Sequence, residues 1–188
     1  MKIVAFAASN SSRSINRQLA AHVASLVAAA EVEVLDLNDY EMPLYSEDRE
    51  QRDGPPAAAR AFVDRINAAD ALVIAYAEHN GAFTAAYKNV VDWASRVQRK
   101  VFAGRPTLML AASPGPGGGA SVLAMAERSA PFLGAELIRA VSVPEFERRF
   151  DGVTGRLRES DVARRVIAAV RDLEAAVAMQ YAELADSA

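Results

Sequence analysis

The chain reads Ala77-Glu-His-Asn-Gly-Ala-Phe-Thr-Ala-Ala-Tyr-Lys-Asn-Val-Val-Asp-Trp93 directly after an apolar run that ends at Tyr76. The run itself, Ala71 to Tyr76, is typical of a buried strand, and Tyr87, Val90 and Val91 follow at helical spacing. A short polar loop with a glycine therefore separates a strand from a helix. In an open parallel sheet, ligands bind at such loops, beyond the carboxyl ends of the strands. This stretch predicts an α/β fold and one wall of a binding site.

The same alternation of apolar runs and amphipathic segments extends along the chain. Strands are predicted at Lys2–Ala8, Val32–Leu37, Ala71–Tyr76, Thr107–Ala112 and Glu136–Val143. Helices are predicted at 14–30, 57–69, 84–97, from Gly119 to about Leu133, and at 161–184. Ser12 or Ser14 is expected to cap the first helix and Ser160 the last, and residues 38–55 are expected to form a long loop.

Alternating strands and helices indicate a parallel sheet with helices on both faces. The first, third and fourth strands are the most apolar, which favours central positions, whereas the more mixed second and fifth strands suit the edges. Right-handed crossovers then allow the strand order 2-1-3-4-5, a flavodoxin-like doubly wound five-stranded sheet. We expect one domain over residues 1–188 because no linker or repeat interrupts the pattern.

Composition excludes several classes of function. The chain has 188 residues, a net charge of −3 and no cysteine, so disulfides, thiolate metal sites and thiol nucleophiles are excluded. With two histidines, His22 and His79, a histidine metal site has little support. No basic block favours nucleic acid, and no apolar run approaches the roughly 20 residues that span a bilayer. The chain enters a strand without a signal-peptide pattern, so we expect a cytoplasmic protein with no membrane partner.

The loop after the first strand reads Ser9-Asn-Ser-Ser-Arg-Ser-Ile-Asn16. It places four hydroxyls and two amides at a helix N-terminus, where backbone N–H groups and the helix dipole favour an anion. The loop lacks the Gly-x-x-x-x-Gly-Lys pattern of nucleoside triphosphate sites and the Gly-x-Gly-x-x-Gly dinucleotide fingerprint. The expected ligand is therefore a terminal monophosphate, although serine clusters are also common as plain helix caps.

Two further loops follow central strands. Glu78-His-Asn-Gly81 offers hydrogen-bond donors and a glycine that allows close approach to a flat ligand, and it also reads as an ordinary Asn-Gly turn. Ser113-Pro-Gly-Pro-Gly-Gly-Gly119 exposes backbone N–H groups suited to the edge of a heteroaromatic ring, or forms a flexible connector. Three such loops at one edge of the sheet are more specific together than each is alone.

These motifs resemble those of the NADPH-dependent FMN reductase family, which includes quinone, azo-dye and chromate reductases. The family's phosphate loop, Gly-Ser-x-Arg-x-x-Ser-x-Asn, corresponds to Ala8–Asn16, and Ser11 stands where the family usually has arginine. The flavin loop and its helix, Pro-Glu-Tyr-Asn-Gly-Ser and Leu-Lys-Asn-Ala-Ile-Asp-Trp, correspond to 77–82 and 87–93, with His79 at the usual tyrosine. Ser-Pro-Gly with following glycines recurs at 113–119, and Pro43-Leu-Tyr45 with Asp48 resembles the loop after the second strand.

The resemblance implies an FMN site on these three loops. It implies that Ser9, Ser11, Ser14 and Asn16 contact the phosphate, with Arg13 supplying the charge, and that the second and third loops line the ring. The complete set of expected FMN contacts is Ser9, Ser11, Arg13, Ser14, Ile15, Asn16, Glu78, His79, Asn80, Gly81, Ser113, Pro114, Gly115 and Gly118.

The implied activity is a ping-pong reaction in which NAD(P)H, a co-substrate, reduces FMN, and FMN reduces a quinone, flavin or similar small acceptor. The resemblance also implies a homodimer or homotetramer. A flavodoxin-type electron carrier without NAD(P)H turnover is the alternative, as is a protein that has lost FMN. No amino-acid nucleophile or general base is expected, because the flavin carries the chemistry.

Overall fold

The computed structural model describes residues 1–186, so the last two residues of the predicted domain lie outside the described residues. The main sheet consists of five parallel strands in the order β2-β1-β3-β6-β7, as predicted. Its strands are β1 Lys2–Ala8, β2 Glu31–Leu35, β3 Ala71–Tyr76, β6 Pro106–Ala112 and β7 Glu136–Val143. Two-residue strands form two small hairpins, β4 Glu78–His79 with β5 Ala82–Phe83, and β8 Phe150–Asp151 with β9 Arg156–Leu157.

Helices cover both faces of this sheet. They are α1 Ile15–Ser25, α2 Glu47–Asp53, α3 Ala57–Asn67, α4 Ala85–Val97, α5 Ala120–Leu133, α6 Phe146–Arg149 and α7 Asp161–Asp186. Alternate residues of the central strands divide between two cores. One set, including Phe6, Ile74 and Met109, packs under α3, α4 and α5, and the other set, including Ala5 and Leu110, packs under α1 and α7.

The register of the central strands defines the edge at which ligands can bind. Ala8 pairs with Tyr76, and Tyr76 pairs with Ala111, so β1, β3 and β6 end side by side. Apart from Lys2, every residue of these three strands is buried, as the apolar runs within them predict. The loops that follow them therefore emerge together at one edge.

Several predicted boundaries were wrong. The first helix ends at Ser25 instead of residue 30, because the chain reverses through Ala29 (φ 51°) to pair β2 with β1. The second strand ends at Leu35, and a 3-10 helix spans Leu37–Tyr40, since the Asp36 carboxylate accepts a hydrogen bond from the Asn38 N–H.

The predicted long loop at 38–55 contains α2, which Ser46 caps by accepting from the Arg49 N–H. The last helix begins at Asp161 as predicted and extends to Asp186, two residues beyond the predicted end. Ser160 caps this helix, because its hydroxyl accepts a hydrogen bond from the Ala163 N–H at 3.2 Å. Of the two candidates for the first helix, Ser14 is the cap.

Candidate functional site

The loops after β1, β3 and β6 converge on one open cleft of about 270 Å³. Of the residues predicted from the sequence, the cleft is lined by Ser9, Ser11, Arg13, Ser14, Ile15, Asn16, Glu78, His79, Ser113 and Pro114. Ala77 and Ala112 complete the lining, and neither was among the predicted residues. Four predicted residues lie outside the cleft lining: Asn80, Gly81, Gly115 and Gly118.

Three serine hydroxyls in the first loop remain able to donate hydrogen bonds. The oxygens of Ser9, Ser11 and Ser14 accept from the backbone N–H groups of Ser11, Arg13 and Arg17, respectively, at 3.2–3.3 Å. Within residues 1–186 none of the three hydroxyls donates a hydrogen bond. Because each hydroxyl carries one hydrogen, each can still donate to an acceptor in the cleft.

The N-terminus of α1 adds an electrostatic preference for an anion. The N–H groups of Ile15 and Asn16 are in the first turn, so no carbonyl of the helix itself can accept from them. The first turn contains no acidic residue, so the positive end of the helix dipole is not neutralised there. Arg13 is exposed at the same place. N–H groups, a helix dipole and a guanidinium gathered in this way favour an anion over a cation.

Three side chains tie the loops to one another. The Asn16 amide donates to the Ala112 carbonyl at 3.1 Å and accepts from the Ala112 N–H at 2.8 Å, which joins the first and third loops. The Thr84 hydroxyl donates to the Ala8 carbonyl at 2.9 Å, which joins the second loop to the end of β1. The Glu78 carboxylate accepts from the Val122 N–H at 3.0 Å, which joins the second loop to the start of α5.

These hydrogen bonds give Asn16 and Glu78 structural roles in addition to the FMN contacts expected from the sequence. Asn16 is 3% exposed, and both of its polar side-chain atoms are engaged by the backbone. Glu78 acts as a cap for α5, whose own N-cap residue, Gly119, has no side chain to do so. Thr84 was not among the predicted site residues. It caps α4, because its hydroxyl accepts a hydrogen bond from the Tyr87 N–H, and a threonine just before a helix is a recognisable N-cap signal in the sequence.

The second loop is a β-hairpin. Asn80 (φ 53°) and Gly81 (φ 75°) form its two-residue turn, which requires a positive φ at both positions and explains the Asn-Gly pair. Both residues are exposed at the tip. At its base, the ring of Phe83 lies 5.7 Å from that of Tyr76 and 5.0 Å from that of Tyr87. This aromatic cluster fixes the hairpin over the end of β3.

The third loop is pinned to the segment after β7. The Ser113 hydroxyl donates to the Gly115 carbonyl at 3.0 Å, which shapes the turn. Gly118 (φ 59°) is buried, and a Cβ added there would be 2.1 Å from the Ser142 hydroxyl and 2.9 Å from the Pro144 nitrogen. Gly118 is therefore required by close packing against β7.

Asn89 and Trp93, from the Lys-Asn and Asp-Trp pairs of the second motif, form hydrogen bonds with the loop after β2. The Asn89 amide accepts from the Tyr45 N–H at 2.8 Å and donates to the Met42 carbonyl at 3.0 Å, and the Trp93 indole donates to the Pro43 carbonyl at 2.7 Å. The motif therefore anchors the segment 42–45 on α4. Next to it lies a larger cavity of about 310 Å³, which shares no lining residue with the three-loop cleft and reaches its first loop only at Asn10.

Within residues 1–186 no group of three or more His, Asp or Glu side chains could hold a metal ion. None of the helices described in that range is long and apolar enough to cross a membrane. His79 lines the cleft but is exposed.

The sequence profile described as NADPH-dependent FMN reductase matches residues 1–147. The chain belongs to this family. Members of the NADPH-dependent FMN reductase family are oxidoreductases that use FMN and NAD(P)H, as the sequence motifs implied.

Relatives of known name are consistent with this family. An NAD(P)H-dependent FMN reductase of Pseudomonas aeruginosa is 36% identical over 138 residues, which are 72% of each chain. A quinone reductase of Escherichia coli is 38% identical over 95 residues, and the match spans only half of each chain. Among solved structures, the flavoenzyme FerB, an NAD(P)H:(acceptor) oxidoreductase of Paracoccus denitrificans, superposes with a TM-score of 0.73. That alignment has 22% identity and covers 92% of this chain and 97% of FerB, so it shows a shared fold.

Proposed function

We propose that the chain is an FMN-dependent NAD(P)H oxidoreductase that binds FMN in the three-loop cleft. Bound FMN would take hydride from NAD(P)H and pass it to a quinone, flavin or similar small acceptor in a ping-pong reaction. The observation that carries the proposal is the set of three serine hydroxyls, all free to donate, at the uncompensated N-terminus of α1.

The chain's own residues would bind and orient the cofactor. Ser9, Ser11 and Ser14 would donate to the phosphate, with the N–H groups of Ile15 and Asn16 and the charge of Arg13. The side chain of Asn16 would position the third loop, because both of its polar atoms are engaged by Ala112.

The other two loops would enclose the flavin ring. Glu78, His79, Ser113 and Pro114 line the same cleft, and the Glu78 tie to Val122 limits how far the hairpin and α5 can separate. A Cβ built on Gly81 or Gly115 would meet no atom within 4 Å, and Asn80 is exposed at the hairpin tip, so a ring edge would have room to approach these residues. A homodimer or homotetramer is part of the proposal.

The phosphate assignment is tested by comparing FMN with riboflavin, which lacks the phosphate. Affinities of the wild type, Ser14→Ala and a Ser11→Ala/Ser14→Ala double variant are measured by flavin fluorescence. Each lost hydrogen bond to a charged group should weaken FMN binding by roughly tenfold or more, with riboflavin affinity nearly unchanged.

Ser12→Ala is the matched control, because Ser12 lies exposed in the same loop and does not line the cleft. Unchanged FMN affinity in the double variant, or an equal loss for both flavins, would contradict the phosphate assignment. An electron carrier would bind FMN in the same way but would not be reduced by NADPH or NADH.

A further inference from the structure

A third cavity, at the carboxyl edge of the sheet, is rich in arginine. It has a volume of about 290 Å³ and is lined by Glu145, Arg148, Arg149, Arg158, Glu159 and Ser160. We call it the arginine pocket. It lies among α6, the chain that follows β9 and the N-terminus of α7, on the β7 side of the three-loop cleft.

The guanidinium groups of this pocket are incompletely paired. Glu145 bridges two of them, with one carboxylate oxygen 2.8 Å from Arg148 and the other 3.5 Å from Arg149. The Arg149 Nε atom is buried and has no hydrogen-bond partner among the described residues. Arg158 is paired with Asp151 only at 3.9 Å. A guanidinium carries five N–H donors, and the side chains of Arg148 and Arg158 are more than half exposed, so donors of these two residues remain available to an anion.

Carboxylates also surround the arginine pocket and bear on its preference for an anion. Glu145 is shared by two arginines, and Glu159 makes no ion pair within residues 1–186. Asp151 accepts from the N–H groups of Val153 and Thr154, and these bonds lower its pKa, so it stays ionised and attached to its own turn. The pocket lining therefore holds three arginines and two carboxylates, and Asp151 lies outside the lining at 3.9 Å from Arg158. In the first turn of α7, which borders the pocket, Asp161 is paired with Arg164.

The arginine pocket and the three-loop cleft are separated by one segment of chain. The Phe146 N–H donates to the carbonyl of Ser113, which lines the cleft, at 3.0 Å. The Glu145 N–H donates to the Gly115 carbonyl at 2.9 Å, and Glu145 lines the arginine pocket. Glu145 adopts a left-handed conformation (φ 49°), which is uncommon for a residue with a side chain and which Ala29, Asn80 and Ala103 also adopt.

Most of the pocket lies beyond the residues that the family profile matches, although Glu145 lies within them. The family match ends at residue 147, so Arg148, Arg149 and Arg158 lie beyond it. The chain also has no Gly-x-Gly-x-x-Gly fingerprint that would bind a dinucleotide elsewhere. A dinucleotide whose nicotinamide faced the flavin would extend its adenosine ribose away from the cleft, and the neighbouring segment carries these cations.

We propose that the arginine pocket binds a phosphomonoester dianion, and that this group is the 2′-phosphate of NADPH. The assignment of the phosphate to NADPH rests on the proposed function. Arginine is suited to this task, because its planar donors match phosphate oxygens in pairs. The pocket would then determine the preference for NADPH over NADH.

The first test is direct binding to the purified full-length protein, which requires no flavin turnover. Calorimetry compares 2′,5′-ADP, 5′-AMP and inorganic phosphate on the wild type and an Arg148→Ala/Arg158→Ala double variant. Both side chains are more than half exposed, so the fold should survive, and a thermal melt checks this. Arg171→Ala on the exposed face of α7 is the control.

We expect the wild type to bind 2′,5′-ADP more tightly than 5′-AMP. The double variant should lose about tenfold or more of its 2′,5′-ADP affinity, whereas Arg171→Ala should not. Unchanged affinity in a folded double variant would overturn the proposal. Inorganic phosphate that binds as tightly as 2′,5′-ADP would overturn the nucleotide assignment.

The second test is the ratio of kcat/KM for NADPH to that for NADH. The double variant should lower the NADPH value by about tenfold or more and leave the NADH value within about twofold. Equal losses would indicate pyrophosphate contact and contradict a 2′-phosphate site. A loss of NADPH preference in Arg13→Ala but not in the double variant would place the 2′-phosphate in the three-loop cleft instead. If neither nucleotide reduced FMN, the proposed function would fail, and the 2′,5′-ADP measurement would still decide whether the pocket binds a phosphomonoester.

Discussion

Replacing Asn16 by alanine should destabilise the fold far more than a surface polar substitution would. The change removes both hydrogen bonds to Ala112, at 3.1 and 2.8 Å, from a position where the side chain is 3% exposed. It leaves the N–H and the carbonyl of Ala112, at the buried end of β6, without these partners. Each buried polar group left unsatisfied costs about 1–3 kcal/mol, so we expect the two groups together to cost roughly 2–6 kcal/mol. A small domain is stable by about 5–15 kcal/mol in total, so the loss is large but need not unfold the protein.

The assay is urea denaturation followed by circular dichroism, with FMN affinity measured on the folded fraction. Asn16→Asp is an informative companion, because a carboxylate can still accept from the Ala112 N–H but cannot donate to its carbonyl. Ser14→Ala is the contrast: it should cost about 1 kcal/mol as a lost N-cap and should mainly weaken FMN binding. An Asn16→Ala protein that kept wild-type stability and lost FMN would refute this reasoning, and would restore the phosphate contact that the sequence motif implied.

Three further predictions concern stability. Glu78→Ala should lower the free energy of unfolding by about 1 kcal/mol, because α5 loses its acceptor for the Val122 N–H. Glu78→Gln should keep most of that stability in the same urea assay, because the amide oxygen can still accept. Burial, aided by the charge of Arg156, lowers the pKa of His22, whose Nε2 accepts from the Leu157 N–H. The unfolded state then binds this proton more readily, so the free energy of unfolding should fall as the pH drops below about 6.5 and level off below the folded-state pKa. His22→Gln should lack this component, and an identical pH profile would argue against it. Tyr87→Phe should leave stability within about 1 kcal/mol or raise it, because the buried hydroxyl makes no hydrogen bond of normal geometry, and a large loss in thermal melts would reveal a partner.

The sequence was sufficient to predict the strands of the sheet, because a strand buried on both faces is marked by a local run of apolar residues. The runs at Ile3–Ala8, Ala71–Tyr76 and 108–112 are apolar throughout, and that property alone indicates strands buried on both faces. The strand order followed from their relative hydrophobicity and the handedness of the crossovers. By contrast, α2 has no buried residue and therefore no apolar periodicity, so its charged sequence read as a loop.

The convergence of the three loops was also predictable, but the ties between them were not. Asn16 contacts a residue 96 positions away, and Thr84 one 76 positions away. Such partners depend on how α1 and α4 are placed over the ends of the strands, which no local pattern specifies. The motif identified Asn16 and Glu78 as important, and in the structure the side chains of both join one loop of the cleft to another part of it.

The cofactor and its reduction are tested most directly by a visible absorption spectrum of the purified, desalted protein loaded with FMN. The spectrum is recorded without oxygen before and after addition of NADPH, and separately after addition of NADH. We expect flavin bands that stay with the protein through desalting and bleach when a nicotinamide nucleotide is added. Flavin bands that persist with both nucleotides, or a protein that retains no FMN, would contradict it.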